Sequence, residues 1–307
     1  MKRVVIALGG NAILTDDPTA KGQEAALKQT TKKIVEFVRN SAENVQLIIT
    51  HGNGPQVGNL LLQELNGSTE KNPPMPLDVV GAMTQGEMGL WISDALCDND
   101  MTSSTIVTRV LVNPDDPAFK DPTKPIGPFY ADVNSILREH PDWKFAEDSG
   151  RGFRRVVPSP HPISILEAKQ IGTLVDSGFT VIAGGGGGVP VIMTDNGDVE
   201  GVEAVIDKDF TASLIGQMVE ADQLIILTAI DQAAINFGKP NQRELGHVSL
   251  DELDMYLKQH QFGRGSMEPK IQAAMQFVKN TGKDAVITSL DNVAEFEKNG
   301  RATVIKK

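Results

Sequence analysis

Short apolar runs that end in glycine punctuate this chain. Val4 to Leu8, Val45 to Thr50 and Val181 to Ala183 are aliphatic apart from Gln46 and Thr50 and largely β-branched. Each leads directly into a turn: Gly9-Gly10-Asn11, His51-Gly52-Asn53-Gly54-Pro55, and the five glycines from Gly184 to Gly188 before Pro190. Continuous apolar runs of this length, bounded by turn residues, predict strands buried on both faces. Glu24 to Arg39, Val57 to Leu65, Met83 to Cys97, Ile163 to Ser177, Asp209 to Ala221 and Glu268 to Asn280 carry apolar residues near helical spacing. Ser104 to Val112, Gln223 to Thr228, Ala285 to Ser289 and Thr303 to Ile305 read as further strands, and Asn196-Gly197 as the turn of a hairpin. This alternation predicts an α/β fold with a parallel sheet covered on both faces.

The pattern breaks between Asn113 and Pro158, where prolines and charges replace the apolar periods. Prolines at this density do not sit in sheet centres, which predicts a lid projecting from the core. A linker between independent domains is the alternative. Phe129, Tyr130, Trp143, Phe145 and Phe153 favour the lid, because they supply aromatic area for a small cluster of its own.

Composition narrows the class. With 307 residues the chain can bury a large core, as two lobes or one large α/β domain. A net charge of -11 argues against a general nucleic-acid or anionic-membrane binder, so any phosphate must be met at a local site. The single cysteine, Cys97, leaves no intrachain disulfide or cysteine-built zinc site; it reads as a structural residue and points to a reducing, cytoplasmic setting. No apolar run approaches the roughly 20 residues that span a bilayer.

The glycine turns are the first candidate chemistry. Unshielded amides at strand ends form concavities suited to phosphate or carboxylate oxygens, in the crevice outside the carboxyl ends of a parallel sheet. A flexible turn is the bland reading of any one of them; three of the same design strengthen the other. Neither GxxxxGK[ST] nor GxGxxG occurs, so this is neither a P-loop nor a dinucleotide-binding pattern. GxSxG and HExxH are also missing, and the five histidines are scattered, which leaves nucleophilic and metal-ligand catalysis without support. His51 lies in a glycine turn, where a structural hydrogen bond is the expected role. Lysines fit better, because phosphoryl transfer demands positioning and charge neutralisation more than covalent chemistry. Lys208 stands between Asp207 and Asp209 at an expected helix start, Lys270 follows Pro269, and Lys124 lies in the lid. Each alone is as readily a solvated surface lysine.

The phrases VIALGGNAI (4 to 12), THGNGPQVG (50 to 58), PTKPIGPFY (122 to 130), RRVVPSPHP (154 to 162), IAGGGGGVPV (182 to 191), VIDKDFTASLIG (205 to 216), EADQLIILTAIDQAAINFGKPNQ (220 to 242) and GSMEPKIQAA (265 to 274) resemble the amino acid kinase family, and within it the carbamate kinases. The match runs through nearly the whole chain. Where the wider family often has a lysine, this chain has Ala7. The carbamate kinases share that alanine and the PTKPIGPFY lid, whose Lys124 supplies the charge from above. Thr228 to Gln232, TAIDQ, also departs from the wider family's commoner TDVDG.

The resemblance implies a three-layer αβα sandwich with a mainly parallel central sheet and a protruding lid. It further implies a homodimer that transfers a phosphoryl group reversibly between ATP and carbamate, giving ADP and carbamoyl phosphate. Residues 1–195, with the lid at 113–158, would form the phosphoryl-acceptor lobe, and 196–307 the nucleotide-binding lobe. By the same resemblance, Gly9, Gly10, Asn11, Gly52, Asn53, Gly54, Gly185 and Gly186 bind substrate and phosphate. Lys124 and Lys208 neutralise the transferring group, Asp209 orients the lysines, and Lys270 contacts the nucleotide phosphates. Thr228, Ala229, Ile230, Asp231 and Met267 lie near the nucleotide, and Mg2+ is held mainly by phosphate oxygens and water. In cells the family usually runs toward ATP, in arginine catabolism by the deiminase route. The rivals are another member of the family, of the acetylglutamate or uridylate kinase kind, and a non-catalytic nucleotide-binding sensor. Ala7 and the lid count against the first; the intact Lys208, Asp209 and Lys270 count against the second.

Overall fold

The computed structural model describes residues 1–10, 17–148 and 150–307. The chain opens with β1 (Lys2–Leu8), α1 (Ala20–Asn40), β2 (Val45–His51), α2 (Gly54–Gly67), α3 (Leu77–Cys97), β3 (Ser103–Thr105) and β4 (Arg109–Val112). Next come β5 (Lys124–Tyr130), α4 (Asn134–Glu139), β6 (Lys144–Glu147) and β7 (Phe153–Val157), then β8 (Pro162–Ile165), α5 (Ala168–Asp176), β9 (Thr180–Ile182), β10 (Val189–Met193) and β11 (Val199–Gly201). The last third holds α6 (Lys208–Met218), β12 (Gln223–Thr228), β13 (Ala234–Ile235), β14 (Arg243–Glu244), β15 (His247–Ser249), α7 (Leu250–Lys258), α8 (Met267–Thr281), β16 (Asp284–Ser289), α9 (Phe296–Asn299) and β17 (Thr303–Lys306).

Side-chain alternation along β1 sets the layers. Val5 and Ala7 face one way, into a core shared with Ile171 of α5, Ile215 of α6 and Phe277 of α8. Val4, Ile6 and Leu8 face the other way, onto Leu27 and Ile34 of α1 and Met88 and Ile92 of α3. Both faces are apolar because both are covered, as the uninterrupted runs predicted. The result is a three-layer αβα fold around a sheet of order β15-β17-β16-β12-β1-β2-β9-β3. Its pairs are parallel except β16 with β17.

Register brings the glycine turns together. Ala7 of β1 pairs with Thr50 of β2 and with Ile226 of β12, while Ile49 of β2 pairs with Ile182 of β9. Four neighbouring strands therefore finish at one edge, and the segments after Leu8, His51, Ile182 and Thr228 lie side by side. This is the carboxyl edge where open α/β sheets bind ligands.

The lid is a separate sheet of order β5-β7-β6. Pro125 and Pro128 sit in its edge strand β5, where a missing N–H breaks no ladder. Tyr130, Trp143 and Phe145 form its aromatic cluster, with the Arg155 guanidinium stacked 3.8 Å over the Trp143 ring. Phe129 and Phe153 are exposed instead, and Phe129 carries Arg151 and Arg154 over its ring.

Three expectations are corrected. Ser104 to Val112 is two strands, β3 in the central sheet and β4 in a second sheet of order β11-β10-β4-β8. The chain changes sheets at Thr108, whose amide is satisfied by Gln85 Oε1 (2.8 Å) and not by a ladder partner. Ile163 to Ser177 begins as β8, antiparallel to β4, before α5 starts. Cys97 ends α3 exposed, without a core role.

Candidate functional site

Two cavities meet at the carboxyl edge. The first, about 390 Å³, is lined by Gly9, Gly10, Thr228, Ile230, Phe237, Phe262, Met267 and Lys270, among others. The second, about 240 Å³, lies under the lid against Gly52, Asn53, Gly54, Lys124, Arg154, Gly186, Asp207, Lys208, Asp209 and Lys270. Gly265, Ser266 and Lys270 line both, so the cavities are continuous at the start of α8.

The second cavity is built for anions. The first residues of α2 and α6 and the residue capping α8 line it, and helix N-termini offer unsatisfied N–H groups and the positive end of the macrodipole. Asp209, 2% exposed, accepts from Lys208 Nζ on one oxygen and from Lys270 Nζ on the other, at 3.0 Å. Asp207 accepts from Lys124 Nζ at 2.9 Å on Oδ2 and from the Asp209 amide at 3.0 Å on Oδ1. Burial pushes the Asp207 carboxyl up, but Lys124, the Asp209 amide and Lys208 outweigh it and hold the carboxyl below its ordinary value. Three ammonium groups and two carboxylates leave this cluster net positive, inside a chain whose total charge is -11.

Close approach explains two of the glycines. A Cβ on Gly9 would lie 2.5 Å from the Leu227 carbonyl oxygen, so the turn after β1 is tight against the end of β12. At Gly186, φ is +65° and a Cβ would meet the Asn53 amide at 2.2 Å, so the second and third glycine turns pack onto one another. Asn53 is buried and donates to Thr84 Oγ1 (2.8 Å).

His51 stands behind this wall. Its Nδ1 donates to the Gly52 carbonyl (2.9 Å), and its ring fills the space where a Gly185 side chain would be. Burial pushes its pKa down to about 4, the Gly52 hydrogen bond opposes this, and the charge of Lys208 adds to it. A neutral, buried imidazole matches the structural role expected of it.

The sequence-derived candidates divide as follows. Lys124, Lys208, Asp209 and Lys270 come together with Gly52, Asn53, Gly54 and Gly186 in the second cavity. Gly9, Gly10, Thr228, Ile230 and Met267 line the first. Gly185 faces His51 and a small neighbouring void in place of the second cavity. Asp231 is turned away, bonded to Arg301 (2.9 Å) and Ser289 Oγ (2.5 Å), and neither it nor Ala229 is among the lining residues. Asn11 lies outside the described residues. Sequence reasoning missed Asp207 as a bonding partner, Arg154, and the apolar wall of Phe237 and Phe262. The DKD triplet held a signal for the first; nothing in the sequence ties Phe237 to Phe262. Among the described residues no group of three or more acidic, histidine or cysteine side chains could hold a metal, and Asp207 and Asp209 are both engaged by ammonium groups. These residues do not fit a protein-built magnesium cage.

Residues 2–289 match the profile of the Amino acid kinase family. The chain is similar to a carbamate kinase of Lentilactobacillus hilgardii, 52% identical with 100% of this chain and 98% of the relative covered. A carbamate kinase of Oenococcus oeni is 49% identical, with 100% and 99% covered. Among solved structures, carbamate kinase from Giardia lamblia bound to AMP-PNP superposes with a TM-score of 0.90 at 40% identity, covering 100% of this chain and 98% of that one.

Proposed function

This chain belongs to the amino acid kinase family, and from that premise we propose that it carries out the reaction its carbamate kinase relatives are named for, reversible phosphoryl transfer between ATP and carbamate. The observation that carries the reading is the paired lysines on Asp209, at the junction of one cavity with apolar walls and one with a surplus of positive charge. The nucleotide occupies the first cavity, its base against Ile230, Phe237 and Phe262 and its phosphates toward Gly9, Gly10 and Lys270. Carbamate or carbamoyl phosphate occupies the second, on the amides of Gly54 and Gly186, the Gly52 amide being engaged by the Leu8 carbonyl (3.2 Å).

Toward ATP, an oxygen of the ADP β-phosphate attacks phosphorus, the bond from phosphorus to the carbamate oxygen breaks, and carbamate leaves with the electron pair. Both attacking and leaving groups are already anions. No proton needs to move, so no general base is required, consistent with a buried, neutral His51. Lys124, Lys208 and Lys270 neutralise the charge spread over the transferring oxygens, and Asp209 fixes two of them before substrate arrives. The nucleotide phosphates, and not a protein-built cage, would hold magnesium, which would offset their charge. The acceptor cavity draws on both lobes, on 1–195 with the lid at 113–158 and on 196–307 through Asp207, Lys208 and Lys270; the nucleotide is held mainly by 196–307, and two copies form the working dimer. ATP production from carbamoyl phosphate in cytoplasmic arginine catabolism is the physiological role of this proposal.

The test is to mix the protein with Mg-ADP and carbamoyl phosphate and measure ATP by a luciferase assay. ATP formation is expected; a folded protein that makes none would overturn the assignment.

A further inference from the structure

Resting on the phosphoryl-transfer reading, we propose that Asp207 is a positioning residue that holds the Lys124 ammonium group over the acceptor cavity. Pairing with Val157 brings the backbone of Lys124 to the rim of the cavity but does not set its side chain. It begins β5 on a separate lid sheet, 83 residues from Asp207 in sequence, and a four-carbon side chain on a lid edge has many rotamers to choose among. The carboxylate selects one of them.

The two oxygens of Asp207 divide the work. Oδ1 accepts from the Asp209 amide and so caps α6, which fixes the carboxylate plane. Oδ2 then faces the cavity and accepts from Lys124 at 2.9 Å. Two residues along, Asp209 holds Lys208 and Lys270 in the same manner. The start of α6 thus distributes three ammonium groups around one cavity through two carboxylates, one for the lid lysine and one for the core pair. Ala7 fits this arrangement, because it is fully buried between Thr50 and Ile226 at the end of β1 and leaves the charge over the acceptor to come from the lid.

A structural role alone would make Asp207 only a helix cap. Asn caps as well as Asp, and its one carbonyl oxygen would be used on the Asp209 amide, so Asp207→Asn keeps the cap and removes the ion pair. The experiment compares wild type, Asp207→Asn, Lys124→Ala and the double variant in ATP formation from Mg-ADP and carbamoyl phosphate. Asp207→Asn is expected to lower kcat/KM for carbamoyl phosphate on the order of 10- to 100-fold, with ADP affinity by calorimetry within about two-fold of wild type. In the Lys124→Ala background the same substitution should cost almost nothing, because the partner it positions is gone. A loss that multiplies fully in the double variant, or an Asp207→Asn enzyme within two-fold of wild type, would overturn the proposal.

A second readout does not depend on the reaction. Mass-spectrometric mapping of acetic anhydride labelling without substrate should show Lys124 modified several-fold faster in Asp207→Asn, with Lys208 and Lys270 unchanged; equal Lys124 labelling overturns the pairing. A wild type that makes no ATP removes the phosphoryl-transfer reading instead, while the labelling still decides whether Asp207 holds Lys124.

Discussion

Asp209 shows at the scale of one residue how the site is held ready. Its buried carboxylate bridges Lys208 and Lys270, and the cap of α6 is Asp207, so Asp209 is free of the capping duty that its place in DKD allows. Asp209→Asn is expected to lower turnover on the order of 100-fold or more. It should also lower the melting temperature, because two partly buried ammonium groups lose their partner, and ADP phosphates should restore part of that loss. Turnover near wild type would rule out the orienting role. His51 gives a prediction of a different kind. The folded state holds its imidazole neutral, with a pKa lowered from 6.5 to about 4, so the unfolded chain binds the extra proton between those values. Stability should therefore fall as pH drops from about 6.5 to 4 and level off below, by roughly 3 kcal/mol for a fully buried group. Urea unfolding across pH 4 to 7 checks it: the curve for His51→Gln should be flatter than wild type over that window, and parallel curves would contradict the assignment.

At the scale of elements, strands deliver and loops complete. Three of the four parallel strand ends were readable from their apolar runs and glycines and the fourth, β12, from its apolar run alone, yet the apolar half of the nucleotide cavity comes from segments without periodicity. Phe237, between β13 and β14, is 67% exposed and lines the first cavity. An aromatic ring left open to water there gains most when a flat base covers it. Phe237→Ala is expected to weaken ADP binding by about 5- to 10-fold, in line with about 1 kcal/mol for an aromatic contact, while leaving kcat near wild type. A large fall in kcat with unchanged ADP affinity would show that the loop serves the chemistry instead. The same scale explains why Ser104 to Val112 read as one strand. β-branched content reports extended backbone, but the change of sheet at Thr108 depends on the Gln85 side chain of α3, which no local pattern announces.

Over the whole molecule, α3 is apolar on more sides than one sheet can cover. Val79, Met83 and Leu90 share a face and are exposed, Leu90 at 58%, and burial raises the carboxyl pKa of Glu87 nearby. A helix hydrophobic nearly all round is normally enclosed, and a second copy would enclose it. In sedimentation, wild type is expected to run as a dimer and Leu90→Asp as a folded monomer; a dimeric Leu90→Asp variant places the interface elsewhere. The amino-acid sequence alone determined the α/β class with a parallel sheet covered on both faces, the carboxyl-edge location of the glycine turns, the lid and the candidate lysines Lys124, Lys208 and Lys270, because strand runs, proline density and short motifs are local properties of the chain; Asp209 was singled out by the family resemblance. Only the tertiary structure decided which strands share a sheet, that Gly185 and Asp231 turn away while Phe237 and Phe262 close a wall, and that Asp207 grips Lys124 from across the cavity. These are contacts between residues far apart in sequence, chosen by burial and by the need of each buried polar group for a partner, and no spacing along the chain encodes which partner that will be.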